Sequence, residues 1–393
     1  MDMTEHPLRA SNGASPDPGR RLDVAVIGAG QAGLAIGHFL ARSGRRFAIL
    51  EAGDSVGTAW RDRWDSLVLF TPRRYDALPG LPFPGEPDGY PGRDEVIGYL
   101  DRYARAFELP IEFGSRVRSL TADDGGFVLE LDDDRRVEAD QVVVATGPFQ
   151  RPNVPALAGE LDPAVFQTHS AAYRRPSDVP AGTILVVGGG NTGFQIAKEL
   201  SATRAVHLAI GSRQTPLPQR LLGRDLFWWL NRLGLLDKSV DSRLGRRARN
   251  RDTLIGSSPR ELARRFGVGI KPRAVGASGR TVRFADGSEL AVDGVIWATG
   301  YRPDHDWIHL DLGDADDRLR HRRGVTDIAG LYFLGLSWQH TRGSALLGWV
   351  KDDAAFIASR IEAEVARTTP AAGHAPHDER DLTAQATSAV EGT

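Results

Sequence analysis

Residues 24–40 read VAVIGAGQAGLAIGHFL, and residues 185–200 read LVVGGGNTGFQIAKEL. Each is an apolar run that ends in glycines spaced GxGxxG and passes into a helical pattern. A strand feeding a helix through such glycines is the entry to a dinucleotide-binding βαβ unit. In the first unit Gly28 permits the turn, Gly30 lets backbone approach a pyrophosphate, and Gly33 lets the helix pack on the strand. Gln31 and Ala32 open that helix, whose free N–H groups and positive dipole end face the phosphates. Gly188, Gly190 and Gly193 repeat the arrangement, with Asn191 and Thr192 opening the second helix. Two such loops in one chain imply two nucleotides.

The residues that follow the next strand of each unit differ in charge. Glu51 closes the segment 46–53, RFAILEAG, where a carboxylate accepts hydrogen bonds from ribose hydroxyls and repels a 2′-phosphate. That suits FAD or NAD. The corresponding positions of the second unit are Ser212 and Arg213, and a guanidinium beside a hydroxyl holds a 2′-phosphate. The reading is FAD first and NADPH second, a solvated surface arginine being the alternative for Arg213.

The 393 residues contain no cysteine. This excludes a disulfide framework, a thiolate nucleophile or metal site, and a redox dithiol, so redox chemistry falls to bound cofactors. No metal site is expected. A net charge of −2 gives no electrostatic case for nucleic acid. No apolar run approaches the ~20 residues of a membrane helix. Residues 1–20 read as a disordered leader without a signal core, and 366–393 as a disordered tail. A cytoplasmic location is expected.

Strands and helices alternate, which predicts an α/β fold with two Rossmann-like units and parallel sheets. A helix is expected over 93–109, a hairpin within 127–147, strands at 205–213, 292–301 and 330–336, and a closing helix over 344–361. The stretch from 221 to about 250, aromatic and then basic, reads as helical. It is taken as a cap over a substrate channel or a homodimer contact, with a bilayer-facing helix as the weaker alternative.

With these elements in place the chain resembles the class B flavin-containing monooxygenases, especially bacterial relatives and plant YUCCA-type enzymes, over roughly residues 22–362. GTAWRDRWDSLVLFTPRRYDALPGLPFPG (57–85) is similar to the family's flavin-domain insert. VVVATGPFQRPNVP (142–155) and DGVIWATGYRPD (293–304) resemble the two ATG crossings between nucleotide domains, and SALLGWVKDDA (344–354) the last helix. The family fingerprint is imperfect: in PAVFQTHSAAYRRP (163–176), His169 and Tyr173 are kept, but Pro163 and Val165 replace the family's Phe and Gly. Phe70, Thr71 and Pro72 stand where eukaryotic members place an asparagine.

The resemblance implies a three-layer ββα/αβα architecture in which an NADPH domain is inserted into an FAD domain. Its parts would be 21–155 (FAD, first part), 156–301 (NADPH) and 302–365 (FAD, second part). It also implies that NADPH reduces FAD and that O₂ forms a C4a-(hydro)peroxyflavin, which oxygenates a small organic substrate. N- or S-oxygenation is favoured. A reductase or uncoupled oxidase, Baeyer–Villiger chemistry, and a non-enzymatic flavin redox sensor are the alternatives. Thr146, Gly147, Thr299, Gly300 and Leu346 then lie against cofactor, and Trp60 and Trp64 wall the flavin or serve core packing. Asn191 bonds cofactor or only caps its helix. Thr71 faces the flavin or is a turn residue. His340 lines the substrate side or is a satisfied loop histidine. His169 and Tyr173 serve the crossing structurally.

Overall fold

The runs LDVAVI and FAIL are too short for helices and apolar on both faces, so they fit only a sheet covered on both sides. In the computed structural model, which describes residues 21–249, 253–313 and 319–368, they are its first two strands. The expected leader and the tail beyond 368 lie outside the described residues. In chain order the first unit comprises β1 (Leu22–Ile27), α1 (Gln31–Ser43), β2 (Phe47–Leu50), α2 (Arg93–Ala106), β3 (Ile111–Glu112), β4 (Val117–Asp123), β5 (Gly126–Leu131) and β6 (Arg136–Val144).

The second unit has β7 (Phe166–His169), β8 (Thr183–Val187), α3 (Asn191–Leu200), β9 (Ala205–Ala209), α4 (Leu226–Arg232), α5 (Pro259–Phe266), β10 (Gly269–Lys271) and β11 (Gly294–Trp297). The chain then returns to the first sheet as β12 (Leu331–Phe333) and ends in α6 (Val350–Thr368).

The first sheet has the order β3-β2-β1-β6-β5-β4, and β12 also pairs with β6. β6 is long enough to serve two neighbours on one edge: its start is antiparallel to β5 and its end parallel to β12. One face packs under α1, α2 and α6, through Leu34, Ile36, Tyr99, Tyr103, Val350 and Ile357. The other is covered by the β4–β5 hairpin and the segment around Ile308. The second sheet is wholly parallel, in the order β10-β9-β8-β11-β7, with Phe194, Ile196, Leu200 and Leu262 on one face and Phe284 and Trp297 on the other. No helix among the described residues is long and apolar enough to cross a membrane.

Two elements depart from expectation. The 221–250 stretch is a tight hairpin, with Leu221 facing Arg224, followed by α4 and a short helix Arg243–Arg249. Gly223 and Gly234 adopt left-handed backbone there and interrupt a continuous helix. The closing helix begins at Val350 rather than 344, behind a 3₁₀ turn Arg342–Ala345 capped by Thr341, and continues to Thr368. Gly348 presses on the Tyr75 carbonyl with no room for a Cβ, which fixes a non-helical approach.

Gly33 packs just as closely, and a Cβ there would overlap the Gly28 carbonyl oxygen. Gly33→Ala should therefore cost about 1–3 kcal/mol by overpacking and lower the melting temperature by several degrees. Gly30→Ala, whose Cβ meets nothing within 4 Å, should melt as the wild type does in the same calorimetric scan.

Candidate functional site

The first glycine loop leaves β1 through Gly28, whose φ of 106° no L side chain tolerates well. Glu51, 7% exposed, is gripped by backbone: the Ala29 N–H donates to Oε2 at 2.7 Å and the Gly53 N–H to Oε1 at 2.9 Å. Each oxygen keeps lone-pair capacity for a ribose hydroxyl. No side chain caps α1, and the space in front of Gly30 is open. An adenine dinucleotide with a free ribose diol fits this donor and acceptor set.

The second loop repeats the design. Gly188 turns at φ 134° against the Ala298 carbonyl, Gly193 packs on Gly188, and Gly190 again opens onto free space before an uncapped α3. Gln214 lies over Gly189 and donates to Ser212 Oγ at 3.1 Å. Arg213 is exposed at the end of β9. Arg273 joins it, donating from Nε and Nη2 to the Gly211 carbonyl at 3.1 and 2.7 Å. Sequence reading missed Arg273 because it arrives from beyond β10, 62 residues along the chain. The donor set fits a second dinucleotide.

Between the loops, the Trp60 indole N–H donates to Gln31 Oε1 at 2.8 Å, and Gln31 Nε2 donates to the Ala345 carbonyl at 3.1 Å. This chain brings Trp60, the first loop and the residue before Leu346 together. Phe70 stacks on Phe227 of α4, Phe227 meets Trp349, and Trp349 stacks on Tyr75, with ring centroids 5.7–5.8 Å apart. The insert, α4 and the approach to α6 thus share one aromatic wall.

Asn191 Oδ1 accepts the Ile255 N–H at 3.0 Å and so anchors the strand Thr253–Ile255 to the second loop. Thr192 follows it as the second residue of α3. Trp64, 3% exposed, packs with Tyr173 and Phe194 in the second unit's core, away from Trp60's hydrogen-bond chain. Gly147, Gly300 and His340 line a cleft of about 1570 Å³, together with Phe149, Tyr301 and Trp338. Thr146 accepts from Gln150 and Thr299 donates to the Asn153 carbonyl, both on the crossings. The Ala171 N–H donates to His169 Nδ1, so the proton sits on Nε2 and bonds the Gly300 carbonyl. Burial holds this imidazole's pKa below its usual value.

Thr71 donates to Asp76 Oδ1 at 2.6 Å, and both side chains are buried. Asp76 Oδ2 has no partner among the described residues. Burial pushes this carboxyl up to about 7, against the opposing pull of Thr71 and Arg73. Between about pH 4 and 7 the folded chain therefore keeps a proton that the unfolded chain has lost, so stability falls as pH rises through that window. The full effect is on the order of 4 kcal/mol. Asp76→Asn should flatten the slope of melting temperature against pH between 4 and 7. An unchanged slope would assign the titration elsewhere.

Residues 25–219 match the family described as pyridine nucleotide-disulphide oxidoreductase. The chain is 44% identical over 342 residues to an uncharacterized CzcO-like oxidoreductase of Geobacillus kaustophilus, spanning 86% of this chain and 98% of that one. It is 30% identical over 363 residues to the indole-3-pyruvate monooxygenase YUCCA1 of rice, spanning 82% and 88%. The flavin-containing monooxygenase of Stenotrophomonas maltophilia superposes with a TM-score of 0.74 at 30% identity, covering 88% of this chain and 99% of that one. Disulfide chemistry of the protein's own is excluded by the absence of cysteine. With both nucleotide loops, both crossings and these likenesses in hand, the chain belongs to the class B flavin monooxygenase-like family of oxidoreductases.

Proposed function

We propose that this protein is an NADPH- and O₂-dependent monooxygenase that holds FAD in the first loop and oxygenates nitrogen or sulfur of a small organic substrate. One observation carries the reading: two complete glycine loops lead to one junction, through Gln31 to Ala345 and through Asn191 to Ile255, in a chain without cysteine. Glu51 would take the FAD ribose diol and the α1 N-terminus its pyrophosphate. Arg213 and Arg273 would clamp the 2′-phosphate of NADPH. Bound flavin supplies hydride acceptance and oxygen activation, which no side chain here can provide.

The chain's own part is positioning and exclusion of water. Trp60 holds Gln31, and Gln31 holds the turn before Leu346, so backbone donors at that turn keep a fixed place. The Phe70–Phe227–Trp349–Tyr75 wall keeps solvent away, which oxygen transfer requires. The monooxygenase names of the rice and Stenotrophomonas relatives support the reaction class, and the imperfect fingerprint at Pro163 and Val165 favours heteroatoms over a carbonyl.

Stopped-flow spectra should show NADPH bleaching the yellow protein anaerobically. Oxygen should then give a transient, distinct from both reduced and oxidised spectra, that lasts for seconds. Instant reoxidation with one peroxide per NADPH, with a candidate thioether present and left unoxidised, would make the protein an oxidase. Arg213→Ala should raise the KM for NADPH about tenfold or more and leave that for NADH near wild type, one charge-assisted phosphate contact being worth roughly 1.5–3 kcal/mol. Arg273→Ala should move in the same direction, and equal effects on both coenzymes would remove both arginines from the phosphate site.

A further inference from the structure

Arg342 is a partly buried cation that no acid among the described residues answers. It opens the 3₁₀ turn before Leu346, and its Nη1 donates to Thr253 Oγ1 at 3.2 Å. Its guanidinium carbon lies 5.9 Å from the Trp338 ring centroid. Among the described residues no carboxylate lies within ion-pair distance of it. Arg323, which lines the large cleft, is by contrast paired to Asp353 at 2.8 Å. Taking a guanidinium out of water without a counter-charge is unfavourable, so a merely structural cation here would be expected to have a partner. Burial accordingly pulls the Arg342 pKa down.

Its place in the fold narrows the role. Three residues on, Ala345 is held by Gln31 of the first loop. Its polar partner Thr253 belongs to the strand that Asn191 of the second loop anchors. Arg342 therefore stands where the two nucleotide sites meet, beside Trp338 and close in sequence to His340, both of which line the large cleft. The phosphates of the two proposed cofactors have other receptors: the N-termini of α1 and α3, with Arg213 and Arg273. Most of the Arg342 fork is left for an oxyanion, and the Trp338 indole beside it offers an apolar face for the rest of a ligand.

We propose that Arg342 receives a carboxylate carried by the substrate, so that the enzyme selects organic acids bearing an oxidisable nitrogen or sulfur. This rests on the monooxygenase reading for its chemistry but is tested by binding alone. The flavin-loaded protein is titrated, without NADPH, with 4-(methylthio)benzoate and with thioanisole, its counterpart lacking the acid, and the perturbation of flavin absorbance is followed. The wild type should bind the acid about tenfold or more tightly than thioanisole, the worth of one charge-assisted pair.

Arg342→Gln should abolish that preference and leave thioanisole binding within about twofold, and Arg342→Lys should keep part of it. Equal flavin content and melting temperature show that the variants are folded. Anaerobic titration with NADPH should give the same Kd in all three proteins. A wild type without acid preference overturns the proposal. So does an Arg342→Gln protein that loses NADPH affinity and keeps its acid preference, because the guanidinium would then serve a coenzyme phosphate. Selective acid binding combined with complete peroxide release would sink the monooxygenase reading and leave the carboxylate site standing.

Discussion

The short antiparallel pairing of Arg151–Pro152 with Tyr301–Arg302 is the constraint on which the site depends. It joins the only two places where the described chain passes between its sheets. Asn153 donates from its backbone to the Gly300 carbonyl at 3.0 Å and from Nδ2 to the Thr299 carbonyl at 3.2 Å, and it accepts Arg302 Nε at 2.9 Å. His169 closes on the same Gly300 carbonyl, and Arg63 donates to Tyr301 at 2.7 Å from the flavin-domain insert. Each such bond is worth about 1 kcal/mol. Together they set how the two glycine loops face one another. In the proposed reading hydride passes between two cofactors at near-contact distance, so a small change of angle at this crossing would separate them while each could still bind.

Buried polar atoms without a partner among the described residues occur in both units, at His38, Arg46, His207 and His305 as well as in the insert and beside the second loop. Trp64 Nε1, Asp76 Oδ2 and Gln214 Oε1 have no partner among the described residues, and they belong to the insert and to the rim of the second loop. Such groups destabilise a fold unless something else satisfies them. Sequences normally remove them from a core, and they persist where a ligand completes the hydrogen bonding. Gln214, poised over Gly189, fits that description most directly, because a bound coenzyme would run across the same glycines.

The two nucleotide units were legible in the sequence because their chemistry is local. Strand, glycines and helix lie within about twenty residues, and Glu51 follows at a fixed distance. What was not legible depends on residues brought together from afar. Trp60 and Trp64 are only four positions apart, yet one bonds Gln31 of the first unit and the other fills the core of the second. No period or spacing separates them. Arg273 reaches the end of β9 only through parallel pairing of β10 with β9, and the break of the 221–250 stretch into hairpin and helices turns on the backbone of Gly223 and Gly234. Asp76 looks like an ordinary turn aspartate, yet it is fully buried, with Gly348 packed on its backbone.

Charge placement follows one logic across the molecule. In the proposed reading, Glu51 would meet a ribose that stays unphosphorylated, and Arg213 and Arg273 would meet a phosphate. Each of those side chains lies at a strand end, where the sheet aims it and water can still reach the opening. Arg342 breaks this pattern, being a partly buried cation with no acid beside it among the described residues. A protein that pairs Arg323 of the cleft with Asp353 places acids beside its arginines elsewhere, so the unpaired guanidinium is not explained by shortage. With Thr253 its hydrogen-bond partner and no acid among the described residues, most of the fork stays open, and such a fork at the meeting point of two nucleotide sites discriminates by charge before any chemistry begins.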